Sequence, residues 1–121
     1  MNRQILTLIG SLAISGIVSA CGGAAVPNQE MTSAKAAVSG AEVGGAQDEP
    51  QAELRLKHAR DRIAEAEKLI EEGENEAAAR KLREAQADAE LALALSLEAK
   101  AIADAERSLK RVKELMEQPQ S

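Results

Sequence analysis

Apolar and polar positions follow three different rhythms along this chain. Between Ile5 and Val18 there is no alternation: Ile5, Leu6, Leu8, Ile9, Leu12, Ile14, Ile17 and Val18 stand in a run without one charged residue. The run is shorter than the roughly 20 apolar residues a bilayer span needs, and it has the dimensions of a signal peptide. From Gln29 to Val43 the apolar residues Met31, Ala34, Ala37, Val38 and Ala41 fall three and four apart, which predicts a short helix with one apolar side. Asn28 is placed to cap it and Gly44-Gly45 to end it.

The third rhythm is stricter. Ala52, Leu56, Ala59, Ile63, Ala66 and Ile70 follow one another at alternating steps of four and three, a heptad seam held without a slip. Asp48-Glu49-Pro50 opens this second helix with a cap residue, early negative charge and an early proline, and Gly73 stops it. Asn75 is a candidate cap for a third helix, which then runs from Glu76 to Glu117 without glycine or proline, with Pro119 just beyond. Such a helix is about 60 Å long, nearly twice its predecessor. Its apolar positions are Leu82, Ala85, Ala89, Ala92, Leu95, Ala99, Ile102, Ala105, Leu109, Val112 and Met116.

A connection as short as Glu72 to Asn75 makes the second and third helices antiparallel neighbours. The pattern therefore predicts an all-α fold: an antiparallel, coiled-coil-like helical hairpin with a short additional N-terminal helix and a third helix much longer than the second. Leu56, Ile63, Ile70, Leu82, Leu95, Ile102 and Leu109 are the expected packing seam. The far half of the third helix outruns its partner, and the first helix, folded back, is expected to cover some of it. Within Leu91-Ala92-Leu93-Ala94-Leu95-Ser96-Leu97 the leucines point to two sides of a helix, so one partner cannot bury them all. That favours a third helix or a second molecule at this level, and a homo-oligomer or another envelope protein is the expected partner.

Composition sharpens the picture. The 121 residues include no Phe, Tyr or Trp, so Leu, Ile and Ala must do the packing. The formal net charge is −5, and nucleic acid is excluded as an expected partner because phosphate binding needs an excess of clustered Lys and Arg.

The single cysteine, Cys21, sits where the first apolar run stops. With Val18, Ser19 and Ala20 immediately before it, Cys21 resembles the bacterial lipobox, in which the first residue is more often Leu. That resemblance implies signal-peptidase recognition at Val18, Ser19 and Ala20, and a diacylglyceryl group on the Cys21 sulfur. Acylation of the new amino terminus would give the several chains that stable anchoring requires. Cleavage after Ala20 for plain secretion is the alternative the same residues allow. Residues 1–20 are then a lipoprotein signal peptide, 21–28 a lipid-anchored tether, 29–118 the helical domain and 119–121 a tail. Gly22, where an Asp tends to retain lipoproteins at the inner membrane, fits an outer-membrane lipoprotein facing the periplasm.

Chemistry-bearing motifs are sparse. His58 is the only histidine and has no second His or Cys to complete a zinc site. Glu71, Glu72, Glu74 and Glu76 cluster at a turn without the alternating pattern of a calcium loop. No phosphate loop or catalytic triad motif stands in the sequence, so no enzyme activity, metal or cofactor is expected. Lys100, Arg107, Lys110, Arg111 and Lys113 gather late in the third helix.

The lipobox, the short Ala-containing helix, Gly44-Gly45, Pro50 and the Ala-rich third helix with Glu84-Ala85-Gln86-Ala87-Asp88-Ala89-Glu90 resemble a bacterial envelope family catalogued as DUF family 4398, over Met31 to Leu115. The resemblance implies an envelope setting and no assigned activity. The expected function is a non-enzymatic, membrane-anchored structural or adaptor element. A periplasmic module that holds an acidic cell-wall or surface polymer, or a helical holdase, is the alternative.

Overall fold

The computed structural model describes residues 23–118. Three helices occupy them, α1 (Asn28–Val43), α2 (Pro50–Glu71) and α3 (Asn75–Glu117), and there is no strand among the described residues. The fold is all-α with the third helix longest, as the sequence pattern predicts.

Both turns are built on a glycine with positive φ. After α1, Gly45 has φ 82°, and its N–H and that of Ala46 donate to the carbonyls of Glu42 and Ala41. After α2, Gly73 has φ 81°, and its N–H and that of Glu74 donate to Ile70 and Leu69. Each turn is a Schellman motif, in which the left-handed residue lets the chain close over the last helical carbonyls. Gly44 serves a different end. A Cβ there would overlap the Leu93 side chain of α3, so the missing side chain lets the α1 turn lie against the third helix.

The helix starts correct three expectations. Asn28 does not cap α1; it is the first helical residue, Pro27 precedes it, and no side chain caps that end. At α2 the capping carboxylate belongs to Glu49 rather than Asp48, accepting from the Ala52 N–H at 2.5 Å, with Pro50 in the first turn. Asn75 likewise leaves the α3 start uncapped, because its amide donates to the carbonyl of Ala24 at 2.7 Å.

Ion pairs fix the order of the helices. Lys81 meets Glu65 and Arg62 meets Glu84 and Asp88, so ascent along α3 is descent along α2. Lys35 reaches Glu67 and Arg60 reaches Glu42, which sets α1 alongside α2 in the same opposed sense. Arg83 meets Glu30, and Ser96 and Lys100 donate to the Gly44 carbonyl, so α1 and α3 run the same way. Of the 14 buried apolar residues described, ten are alanine, the others being Val38, Leu56, Ile63 and Leu82. Small side chains let the three backbones approach closely, and this compensates for the absence of aromatic bulk.

The seam divides in two. Leu56, Ile63 and Leu82 are buried, and Ile70 and Leu95 are half-buried against the core. Ile102 and Leu109 are exposed, at 53% and 71%; Ile102 borders a shallow surface depression with Glu49 and Gln51 at the start of α2. The expectation that α1 would cover part of the far half is corrected at the same point. Its turn ends level with Lys100, so α1 supports the stretch already paired with α2 and reaches no further.

Candidate functional site

Every residue from Leu97 to Glu117 except the half-buried Ala99 is exposed. This segment stays helical without neighbours because it extends a helix whose first turns are already formed, so it bears no nucleation cost. Its residues are strong helix formers, with no Gly or Pro. Side-chain pairs along its surface, Asp104 with Arg107, Lys110 with Glu114 and Lys113 with Glu117, add small increments.

The bare segment carries its own apolar stripe. Ile102, Leu109, Val112 and Met116 are 53%, 71%, 53% and 81% exposed, and Ala105 stands among them at heptad spacing. The stripe does not continue the buried seam. At about 100° per residue, Leu109 lies about 200° round the helix from Ala89, which is fully buried against the other helices. The apolar side of the bare segment thus faces away from the direction in which α1 and α2 lie.

The carbonyl of Ala24, ahead of α1, accepts from the Asn75 amide at the α2–α3 turn, and Pro27 is buried. The chain before α1 therefore enters at the base of the bundle, while the bare segment projects from the top. About 25 Å of unsupported helix extends beyond Lys100.

Two polar side chains are buried among the described residues: Ser96, which donates to the carbonyls of Leu93 and Gly44, and Asp88. Asp88, 9% exposed, lies between Arg62 and Arg55, the latter at 3.5 Å. Glu84 of the same helix forms an ion pair with Arg62 at 3.2 Å. These two acids lie across from α2, whereas Gln86 and Glu90 of the same stretch bond only to each other on the exposed side. On the outside of α2, the Lys57 ammonium donates to Asp61 at 2.7 Å and holds its carboxyl below the ordinary value.

The remaining candidates divide between described and undescribed residues. Val18, Ser19, Ala20 and Cys21 lie outside the described residues. His58 is half-buried on α2, and no group of three or more His, Cys, Asp or Glu side chains is placed to hold a metal ion among the described residues. No described helix is long and apolar enough to cross a membrane.

Comparison with protein families matches residues 29–108 to the domain of unknown function DUF4398. The chain belongs to this family. A search of curated proteins and a search of solved structures each gave no match. The DUF4398 match takes in α1, α2 and the supported part of α3, and it ends at Ser108, inside the bare segment. The stretch Glu84 to Glu90 that carries the family resemblance is the part of α3 that supplies Ala85 and Ala89 to the core and Asp88 to the internal ion pair.

Proposed function

We propose that this DUF4398 protein is a non-enzymatic, lipid-anchored element of the bacterial cell envelope, tied to the membrane through Cys21 and presenting a docking helix on the end away from it. The observation that carries the reading is the polarity of the molecule: the tether enters beside Asn75 and the bare apolar stripe of α3 projects from the opposite end. An apolar stripe of this length on solvent-facing helix costs free energy in water, and a partner helix is the ordinary means of covering it. The hairpin of α2 and α3 is then a coiled-coil-like stalk that fixes the direction of the docking helix. Outer-membrane attachment, with the helices in the periplasm, fits Gly22 next to the lipidated residue.

The charges along the bare segment argue against an acidic-polymer site. Its basic residues Arg107, Lys110, Arg111 and Lys113 are interleaved with Asp104, Glu106, Glu114 and Glu117, leaving no net positive field to attract a polyanion. Fatty-acid labelling of cells producing the chain tests the anchor. Incorporation is expected in the wild type and not in Cys21→Ala; equal labelling of both removes it. A photo-crosslinking residue at position 109 tests the docking helix, and a product of higher mass is the expected result.

A further inference from the structure

We propose that the partner of the bare α3 segment is a second copy of the same chain, bound antiparallel so that the two segments overlap along their length. The inference rests on the reading of this segment as a docking helix, and it names the occupant.

Spacing comes first. Ile102, Leu109 and Met116 are seven apart, and Ala105 and Val112 interleave at three and four, the arrangement by which two helices interdigitate. Charge then selects the orientation. Only two charged side chains flank this stripe, Glu106 and Lys113, and being seven apart they share one flank. The other flank carries Ala101, Ser108 and Leu115. In an antiparallel pair centred between Leu109 and Val112, Glu106 of each copy lies against Lys113 of the other, giving two opposite-charge pairs. A parallel pair sets Glu106 against Ala101 and Lys113 against Ser108, and gains none. Asp104, Arg107, Lys110, Arg111 and Glu114 fall on the outward sides of the helix in either case.

Shape agrees. The bundle stops level with Lys100, where that side chain donates to the Gly44 carbonyl at 2.6 Å. Two segments centred between Leu109 and Val112 overlap from Asp104 to Glu117, about 20 Å, with each bundle beyond an end of the overlap, so the bundles do not collide. The contact covers on the order of 1,000 Å² in all, at the low end for a specific interface, so the dimer should be weak and concentration-dependent. It sets the two Asn75 ends about 100 Å apart and pointing away from each other. Such a pair links two surfaces that face one another rather than standing on one.

Sedimentation equilibrium of the full chain over a range of concentrations is the test. A monomer–dimer equilibrium is expected, weakened about tenfold by Glu106→Lys and equally by Lys113→Glu, since each turns two attractions into repulsions. Mixing these two single variants should restore wild-type association, because the mixed pair recovers both attractions. All three positions involved are exposed, so the variants keep the fold; Leu109→Glu should abolish the dimer. Equal association of both charge variants and the wild type overturns the antiparallel pairing. In cells, crosslinking from position 109 to a product of twice the chain's mass supports the proposal. A crosslink to a different protein overturns self-pairing and keeps the docking helix, whereas no crosslink, with a monomer at every concentration, overturns both.

Discussion

The two halves of α3 are one continuous helix of similar composition, yet one is a wall of a core and the other is bare. Asn75 to Ser96 contributes Ala78, Leu82, Ala85, Ala89 and Ala92 to the interior, whereas Leu97 to Glu117 contributes no fully buried residue. Local propensity is not the difference, since both halves lack glycine and proline and both are rich in Ala, Leu and Glu. The difference lies in what stands beside them. α1 ends and α2 begins near the level of Lys100, and beyond that point the same helix is exposed on every side.

The sharpest way to break this contrast is to remove equivalent leucines from the two halves. Leu82 is fully buried, so Leu82→Ala should lower unfolding stability by about 3 kcal/mol, the loss of transfer energy and the cavity together. Leu109→Ala should change the stability of the monomer by less than about 0.5 kcal/mol. Urea unfolding followed by circular dichroism at low protein concentration measures both. Comparable losses at the two sites would mean that the far half is packed after all.

Next in size is Asp88. Replacing it with Ala strips the Arg62 and Arg55 guanidiniums of their shared carboxylate, and both arginines retain part of their contact with water. The expected cost is about 1–2 kcal/mol, below that of breaking a fully buried pair. Asp104→Ala, on the bare half, removes an exposed pair with Arg107 and should be nearly silent. The same unfolding assay decides whether charge matters only where the helix is supported.

Much of this division was legible in the sequence, because three- and four-residue steps mark the helices and glycines mark the ends of α1 and α2. The turning of the stripe was also written there but is easily passed over. A three-residue step falls about 60° short of a full turn, and four residues overshoot by about 40°. Alternating steps hold a stripe nearly in place; the consecutive threes at Ala89-Ala92-Leu95 and at Ala99-Ile102-Ala105 rotate it away from the core. Treating all eleven positions as one seam therefore merges two faces, and sets Ile102 and Leu109 wrongly in line with Leu82.

What could not be read locally were side chains whose partners are distant in sequence. Asn75 has the composition of a cap but reaches Ala24. Asp88 looks like any acid on a helix surface until Arg55 and Arg62 are brought across from α2. Gly44 looks redundant beside Gly45 until Leu93 is set against it.

Glycine substitutions separate conformational need from spare freedom. At Gly73, φ is 81° with nothing within 4 Å of an added Cβ, so Gly73→Ala meets backbone strain alone and should cost about 1 kcal/mol. At Gly40, inside α1 and also with nothing within 4 Å, the same change should stabilise by about 0.5–1 kcal/mol through helix propensity. Thermal unfolding gives both signs. A loss at Gly40 would mean that this face of α1 is covered by another molecule.

The smallest effect belongs to Asp61, which sets the baseline for judging changes on the bare half. Its carboxyl sits on the open face of α2 and is held below the ordinary value chiefly by the hydrogen bond from Lys57. A carboxyl whose folded pKa is depressed binds protons less readily in the folded than in the unfolded chain. Its stabilising contribution is therefore present above the unfolded pKa and is lost as pH falls through the lowered folded value. Full solvent exposure keeps that contribution small. Titration of the Asp61 carboxyl by NMR should place it below a free aspartate, and Lys57→Met should return most of the difference. If Lys57→Met leaves it unmoved, the depression comes from the field of the whole helix instead of from that one hydrogen bond.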